Sequence, residues 1–234
     1  MASNPAVYIS NILMNEKDYE KLVFGMAHQI RNPCAIILAN ANLLIQTPGL
    51  EQETLRSLQS IVNGAKYLEA RLDEFVEFSK PIIMNVKEVP AEKLLNEAVS
   101  LFKEKCKLKM TEISSTVDGN LTMPMADHDQ LLLALLNVVL NAVESIKEGG
   151  KVSLKAVDPG EGTLLITVTD SGAGIHPRDL PEVFSPFYST KQGGIGIGLS
   201  VSKKIIEAHN GSIDLSSALG KGTTVSIRLP GSRK

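Results

Sequence analysis

The sequence predicts an α+β protein in two parts, a helical hairpin followed by an α/β sandwich, and three observations carry that prediction. Apolar residues recur with alternating three-four spacing over two long stretches before Pro81. After Pro81 the texture changes to short β-branched runs alternating with helical segments. One long irregular stretch, 171–196, exceeds what compact domains normally leave unstructured and is expected to be a functional lid. The expected division is 1–80 for the hairpin and 81–234 for the sandwich.

In the hairpin, Val23, Met26, Ile30, Ile37, Ala41 and Leu44 form a heptad seam with Pro33 filling its gap. The break at Thr47-Pro48-Gly49 precedes a second seam at Leu58, Ile61, Ala65, Leu68, Leu72 and Phe75. Two such helices joined by a short turn should pack antiparallel. A hairpin buries only one face, so a second copy completing a four-helix bundle is expected, making a homodimer. The second part reads as extended runs at 82–89, 111–117, 121–126, 151–157, 164–170, 212–216 and 224–229, with helices near 91–107, 127–147 and 197–209.

Composition narrows the function. A chain of 234 residues can bury a core without disulfide or metal staples. Lysine plus arginine (24) nearly balances aspartate plus glutamate (26), so a net charge of −2 disfavours nucleic acid or a membrane surface as partner. Cys34 and Cys106 stand far apart without metal or redox spacing and read as buried thiols in a reducing compartment. The most apolar segment, 131–140, is about half the ~20 residues that cross a bilayer, and no leader pattern opens the chain. A cytoplasmic chain without direct membrane contact is expected, compatible with a longer, membrane-anchored parent. Residues 1–19 are too short to be a sensor.

Three clusters carry chemistry. Asp127-His128-Asp129-Gln130 opens a helix as an N-cap cluster, and Asn137 and Asn141 follow four apart on one face among leucines and valines. Asparagine is a mediocre helix former, so the pair is either satisfied within the core or supplies hard amide oxygens suited to Mg²⁺. Glu144 could reach the same place but reads more simply as an exposed helix charge. At the end of an apolar strand stands Asp170-Ser171-Gly172-Ala173-Gly174-Ile175, either a tight turn or a carboxylate placed to accept from an exocyclic amine such as adenine's. Gly193-Gly194-Ile195-Gly196-Ile197-Gly198-Leu199 then leads into an amphipathic helix, where free amides and the helix dipole favour anionic oxygens. Its spacing is neither that of a Walker loop nor that of a dinucleotide fingerprint.

The order of these motifs resembles the sensor histidine kinases of two-component signalling. Phe24-Gly25-Met26-Ala27-His28-Gln29-Ile30-Arg31-Asn32-Pro33 looks like the H-box and 137–141 like the N-box. Residues 170–175 look like the G1 box, 183–191 the F-box, 194–199 the G2 box, and Gly220-Lys221-Gly222-Thr223 the terminal glycine motif. The resemblance runs from about residue 20 to the C-terminus and implies an ATP-binding sandwich of the Hsp90, gyrase and histidine kinase type behind a dimerising phosphoacceptor hairpin.

The resemblance implies a role for each position. His28 would be the phosphoacceptor, since a neutral imidazole keeps one ring nitrogen as a nucleophile. Pro33 should kink the helix beside it. Asn32 matches the position that orients water for dephosphorylating a response-regulator receiver domain. Mg²⁺ would be held through Asn141 with Asn137 assisting, and adenine read by Asp170 with Gly172, Gly174 and Thr223. Lys191 and the Gly194, Gly196, Gly198 and Leu199 segment would cradle the phosphates of ATP, with Phe184 and Phe187 anchoring the lid and Arg178 a weaker phosphate candidate. His128, His176 and His209 are given no catalytic role.

Two positions depart from relatives of the fold. The Hsp90, gyrase and MutL ATPases carry a glutamate base where this chain has Asn137, which favours phosphotransfer to a side chain over hydrolysis. Gln29 stands where histidine kinases usually carry an acid that supports the histidine. An alternative reading follows, a nucleotide-binding, kinase-weak phosphatase or scaffold for a response regulator.

Overall fold

The computed structural model describes residues 16–160, 162–191, 194 and 196–233. Most of the 1–19 segment, together with Gly193 and Ile195 of the glycine motif, lies outside the described residues. By internal packing the chain divides into two compact units, Met1–Pro81 and Ile82–Lys234.

The first unit is built from α1 (Glu16–Ile45) and α2 (Gln52–Ser79). Gly49, at φ +80, takes the left-handed conformation that turns the chain between them. The helices meet through small residues. Val23, Ala27, Cys34 and Ala41 of α1 and Val62, Ala65 and Val76 of α2 are buried, and Arg31 pairs with Asp73 at 2.7 Å. The heptad reading is corrected here, because Met26, Ile30, Ile37 and Leu44 are 42–52% exposed and Ile61 and Leu68 are close to half exposed. Alanine and cysteine let the two backbones approach, which turns the larger apolar side chains one step round the helix onto a face without a partner in the protomer. Pro33 is accommodated inside one uninterrupted helix.

The second unit comprises β1 (Lys87–Pro90), α3 (Ala91–Leu108), β2 (Thr111–Val117), β3 (Leu121–Ala126), α4 (His128–Ser145), β4 (Gly150–Gly160), β5 (Thr163–Asp170), α5 (Gly198–Ala208), β6 (Ser212–Ala218), β7 (Gly222–Pro230) and β8 (Ser232–Arg233). A mixed sheet runs in the order β2-β4-β5-β7-β6, parallel only between β2 and β4, and β1-β3-β8 form a small second sheet. Burial alternates along β4 and β5, so one face of the large sheet is covered. Leu154, Ile166 and Ile227 from the sheet share the core with Leu95, Leu135 and Ile206 from the three helices. Among the described residues no helix is long and apolar enough to cross a membrane.

Expected and observed elements differ in three places, one of them β8, a strand that the sequence reading does not include. The 82–89 run is a strand only over β1, because the Asn85 amide donates to Asp127 Oδ2 at 2.6 Å instead of to a strand neighbour. The lid stretch contains one short 3₁₀ turn, Leu180–Glu182.

Two junctions hold α4. Asp127 caps its start, accepting from the amides of Asp129 and Gln130 at 3.1 Å each. The Asp127 amide donates to Nε2 of buried His209, whose Nδ1 faces the Ile205 carbonyl at 2.8 Å, so α4 is tied to the end of α5. At the other end, Lys109 Nζ donates to the Val143 and Ile146 carbonyls at 2.9 and 2.8 Å, satisfying acceptors that the helix leaves open.

Burial pushes the Asp127 carboxyl up, but the amides of Asn85, Gln130 and Asp129 outweigh it and hold the group below the usual carboxylate range. A carboxylate with a lowered folded pKa adds stability above its unfolded value and loses it as pH falls through the folded value. Asp127→Ala should therefore cost about 1–2 kcal/mol at neutral pH, a loss that shrinks as pH falls below about 4. Chemical denaturation at several pH values measures both.

Candidate nucleotide site

The second unit gathers its polar residues where β5, α4, the lid and the start of α5 meet. Asp170 ends β5, opposite Thr223 of β7, and is 6% exposed. Its Oδ1 accepts from Ser145 Oγ at 2.9 Å and from the Gly172 amide at 2.8 Å. Burial raises the Asp170 carboxyl above its ordinary range, against the lowering effect of those donors and of the Thr223 amide. Beside it, Ser217 Oγ bridges the Ile175 amide and Thr223 Oγ1 at 2.8 and 2.9 Å.

The chain after Asp170 is held against this carboxylate. The Ala173 amide donates to the Ser145 carbonyl and the Gly220 amide to the Ala173 carbonyl. Gly174 sits at φ +70, and a side chain there would run into the Ala218 carbonyl. Only glycine meets both conditions, so the glycine after Asp170 is a steric requirement of this turn.

On α4, Asn137, Asn141 and Ser145 follow at four-residue intervals on one face. Asn137 lies under Gly198, the first residue of α5, with Oδ1 about 3.7 Å from where a Cβ on Gly198 would stand. Ser202 Oγ fixes that approach by donating to the Ala134 carbonyl at 3.0 Å. One turn on, Asn141 Oδ1 accepts from Lys191 Nζ at 2.8 Å, and Lys191 also meets Glu144 Oε2 at 2.8 Å. Burial pushes the Glu144 carboxyl up, but Lys191, then Lys105 and Lys109, hold it below the usual range.

The lid is pinned at few points. Tyr188 Oη donates to Asp179 Oδ1 at 2.8 Å, and the Phe187 amide donates to the Gly196 carbonyl at 3.1 Å. Gly196, at φ +75, approaches the Tyr188 backbone so closely that a side chain would collide with it. The expectation of two phenylalanine anchors is corrected. Phe184 packs against the core, whereas Phe187 is 55% exposed at φ +67, and the Tyr188–Asp179 bond ties two parts of the lid to each other. Arg178 is turned to solvent and pairs with Asp179 at 3.4 Å.

The geometry thus assembles Asp170, Gly172, Gly174, Thr223, Asn137, Asn141, Lys191, Gly194, Gly196, Gly198 and Leu199 on one unit. His28, Gln29 and Asn32 are exposed on α1 of the other, and His28 and Asn32 share a face one turn apart. Ser145, Ser217 and Glu144 were not singled out as site residues by sequence. The signal for two of them was present, since 144 and 145 continue the face begun at 137 and 141.

Two family models divide the chain along the same lines. One, described as His Kinase A (phospho-acceptor) domain, matches residues 19–81, and the other, described as histidine kinase-, DNA gyrase B- and HSP90-like ATPase, matches residues 126–233. The chain belongs to the sensor histidine kinases. It is 34% identical to the sensor histidine kinase ZraS of Salmonella typhimurium over 89% of its length and 45% of that protein, and 31% identical to sporulation kinase E of Bacillus subtilis over 90% and 28%. It spans less than half the length of these sensor kinases. Among solved structures it resembles histidine kinase ThkA in complex with the response regulator protein TrrA, at 28% identity and TM-score 0.66 over 90% of this chain and 61% of that one. The full-length ShkA structure gives TM-score 0.73 at 24% identity, over 92% and 46%.

Asp170 is a buried acid whose raised pKa means that its charged form disfavours the fold, and this cost grows as pH rises above the carboxylate range. Asp170→Asn keeps an oxygen for Ser145 and Gly172, so the ligand-free protein should melt at an equal or higher temperature near neutral pH. Differential scanning calorimetry decides this, and a clear fall in melting temperature would contradict it.

Proposed function

We propose that this sensor histidine kinase core transfers the γ-phosphoryl of ATP to His28 and from there to an aspartate of a response-regulator receiver domain. One observation carries the reading. An exposed histidine on an unbroken hairpin helix shares its chain with an ATPase-type domain in which donors converge on a buried carboxylate. Residues 1–80 serve as the dimerising phosphoacceptor hairpin and 81–234 as the ATP-binding catalytic domain with a lid at 171–196. The receiver-domain partner is supported by ThkA, a relative solved in complex with its response regulator.

The residues fit the ligand they are assigned. Asp170 offers a buried acceptor to the adenine amine, with Gly172, Gly174 and Thr223 shaping the base pocket. The Asn141 amide oxygen already receives a positive charge from Lys191, so it suits a hard cation. Among the described residues no group of three or more His, Cys, Asp or Glu is arranged to hold a metal. A divalent ion would therefore be held by Asn141, with Asn137 assisting, and by the phosphates themselves. When bound, Mg²⁺ neutralises charge on the phosphate oxygens. Lys191 and the segment of Gly194, Gly196, Gly198 and Leu199 at the start of α5 receive the remaining phosphate charge.

In the transfer, a ring nitrogen of His28 forms a bond to the γ-phosphorus while the bond from that phosphorus to its bridging oxygen breaks, and ADP leaves with that electron pair. Gln29 can accept a hydrogen bond from the other ring nitrogen but offers no negative charge as the ring becomes positive. Asn137, lacking a carboxylate, activates no water, which leaves His28 as the acceptor. Asn32 is assigned to the water that dephosphorylates the regulator. Gln29 also supports a second reading, in which a weak kinase acts mainly as a phosphatase or scaffold for the regulator. Either activity belongs on the cytoplasmic side of a longer parent, where ATP and receiver domains are found.

The dimer follows from the hairpin's exposed apolar face of Met26, Ile30, Ile37, Leu44, Ile61 and Leu68. Ile37→Glu should convert the full chain from dimer to monomer in sedimentation equilibrium while the α/β unit stays folded.

Incubation with γ-labelled ATP should give an acid-labile, alkali-stable label. His28→Ala should bind nucleotide normally and take up no label, whereas Asp170→Asn should lose binding in calorimetric titration. Label on His28→Ala would remove His28 from its role. Gln29→Glu should raise single-turnover labelling by about 10²- to 10⁴-fold with ATP affinity nearly unchanged. Asn32→Ala should instead reduce regulator dephosphorylation.

A further inference from the structure

Lys191 is assigned to phosphate, yet its ammonium group is engaged on α4. It bridges Asn141 Oδ1 and Glu144 Oε2, each at 2.8 Å, two acceptors one turn apart on α4 and about fifty residues from it in sequence. Glu144 is the only acid in that bridge, and its other oxygen faces Lys105 Nζ at 3.7 Å. Both members of the Lys191–Glu144 pair are roughly two-fifths exposed. Asn141 is also the residue assigned to the divalent cation. The lysine and the metal therefore require the same oxygen.

We infer that Glu144 is a positioning residue for Lys191: it holds the lid lysine on the Asn141 oxygen, so that lysine and metal compete for one acceptor. The inference rests on the nucleotide-site reading given above. When phosphates arrive, Lys191 exchanges a carboxylate for phosphate oxygens and vacates Asn141. The lid segment carrying Lys191 then shifts away from α4. No bond is made or broken covalently, and the positive charge of Lys191 is matched in both states. An exposed pair of this kind is weak, which suits an element that must let go. Its strength should also fall with ionic strength.

The test uses the full chain without nucleotide. Amide exchange is followed at Phe187 and Tyr188, whose amides donate within the lid to the Gly196 and Ser185 carbonyls. Glu144→Ala and Lys191→Met should each speed exchange there by about two- to five-fold, the range expected of a partly exposed ion pair. The double variant should be no faster than the faster single variant, because both changes release the same contact. In calorimetry with Mg²⁺ and a non-hydrolysable ATP analogue, Glu144→Ala should bind about two- to five-fold more tightly than the unaltered protein, since Lys191 no longer has to leave a carboxylate.

Unchanged exchange in the single variants would overturn the inference, as would additive effects in the double variant. Weaker analogue binding by Glu144→Ala would also overturn it, making Glu144 a ligand of the metal. If the unaltered protein bound no analogue, the nucleotide reading would fail, and the exchange measurements would still decide whether Glu144 holds the lysine.

Discussion

A carboxylate buried at the end of a strand is the constraint round which the α/β unit is arranged. Asp170 is nearly inaccessible, and a charge there is tolerable only where donors converge on it. They come from three directions. Ser145 reaches in from the last turn of α4, Gly172 from the chain that follows, and the Thr223 amide from the neighbouring strand. Meeting that requirement sets where α4 ends and bends the 171–175 loop back onto its own strand. It also brings the Ala218 carbonyl so close to Gly174 that no side chain fits between. Even so, burial keeps the carboxyl above its ordinary range.

The hairpin solves the opposite problem. Its inner contacts are made by alanine, valine and cysteine, which bring the helices close but bury little area per residue. The larger apolar residues stand off that contact and are exposed among the described residues. Isolated hairpins of this kind depend on coverage of such residues, because two helices bury too little apolar surface to offset the entropy of ordering them. His28, Gln29 and Asn32 are left accessible on the same helix whose small residues make the contacts. Reactivity and packing are thus separated by a rotation round one helix axis.

Element order and the boundaries of the long helices were legible in the sequence because three-four and two-residue periodicities are strong over those stretches. The seam was misassigned at Met26, Ile30, Ile37 and Leu44 because hydrophobicity marks a residue as apolar without saying which of two apolar faces it joins. Small residues at 27, 34 and 41 were the better guide to close helix approach. The 82–86 segment looked like a strand, yet its Asn85 amide is taken by a helix cap forty-two residues away, a contact no local pattern announces. Asp170 and the asparagine pair were legible because polar residues in apolar surroundings are conspicuous. Ser145 and Ser217 were not, since a serine that serves another polar side chain looks like any helix-end or strand residue. Lys109, which closes the end of α4, was hidden for the same reason.

Two acids of the α/β unit, Asp170 and Glu144, are compensated in different ways. Glu144 stands beside Ser145 in the last turn of α4, where Lys191, Lys105 and Lys109 hold its carboxyl below the usual range in spite of partial burial. An acid is tolerated at that depth because cations converge on it, just as Asp170 is tolerated because neutral donors do.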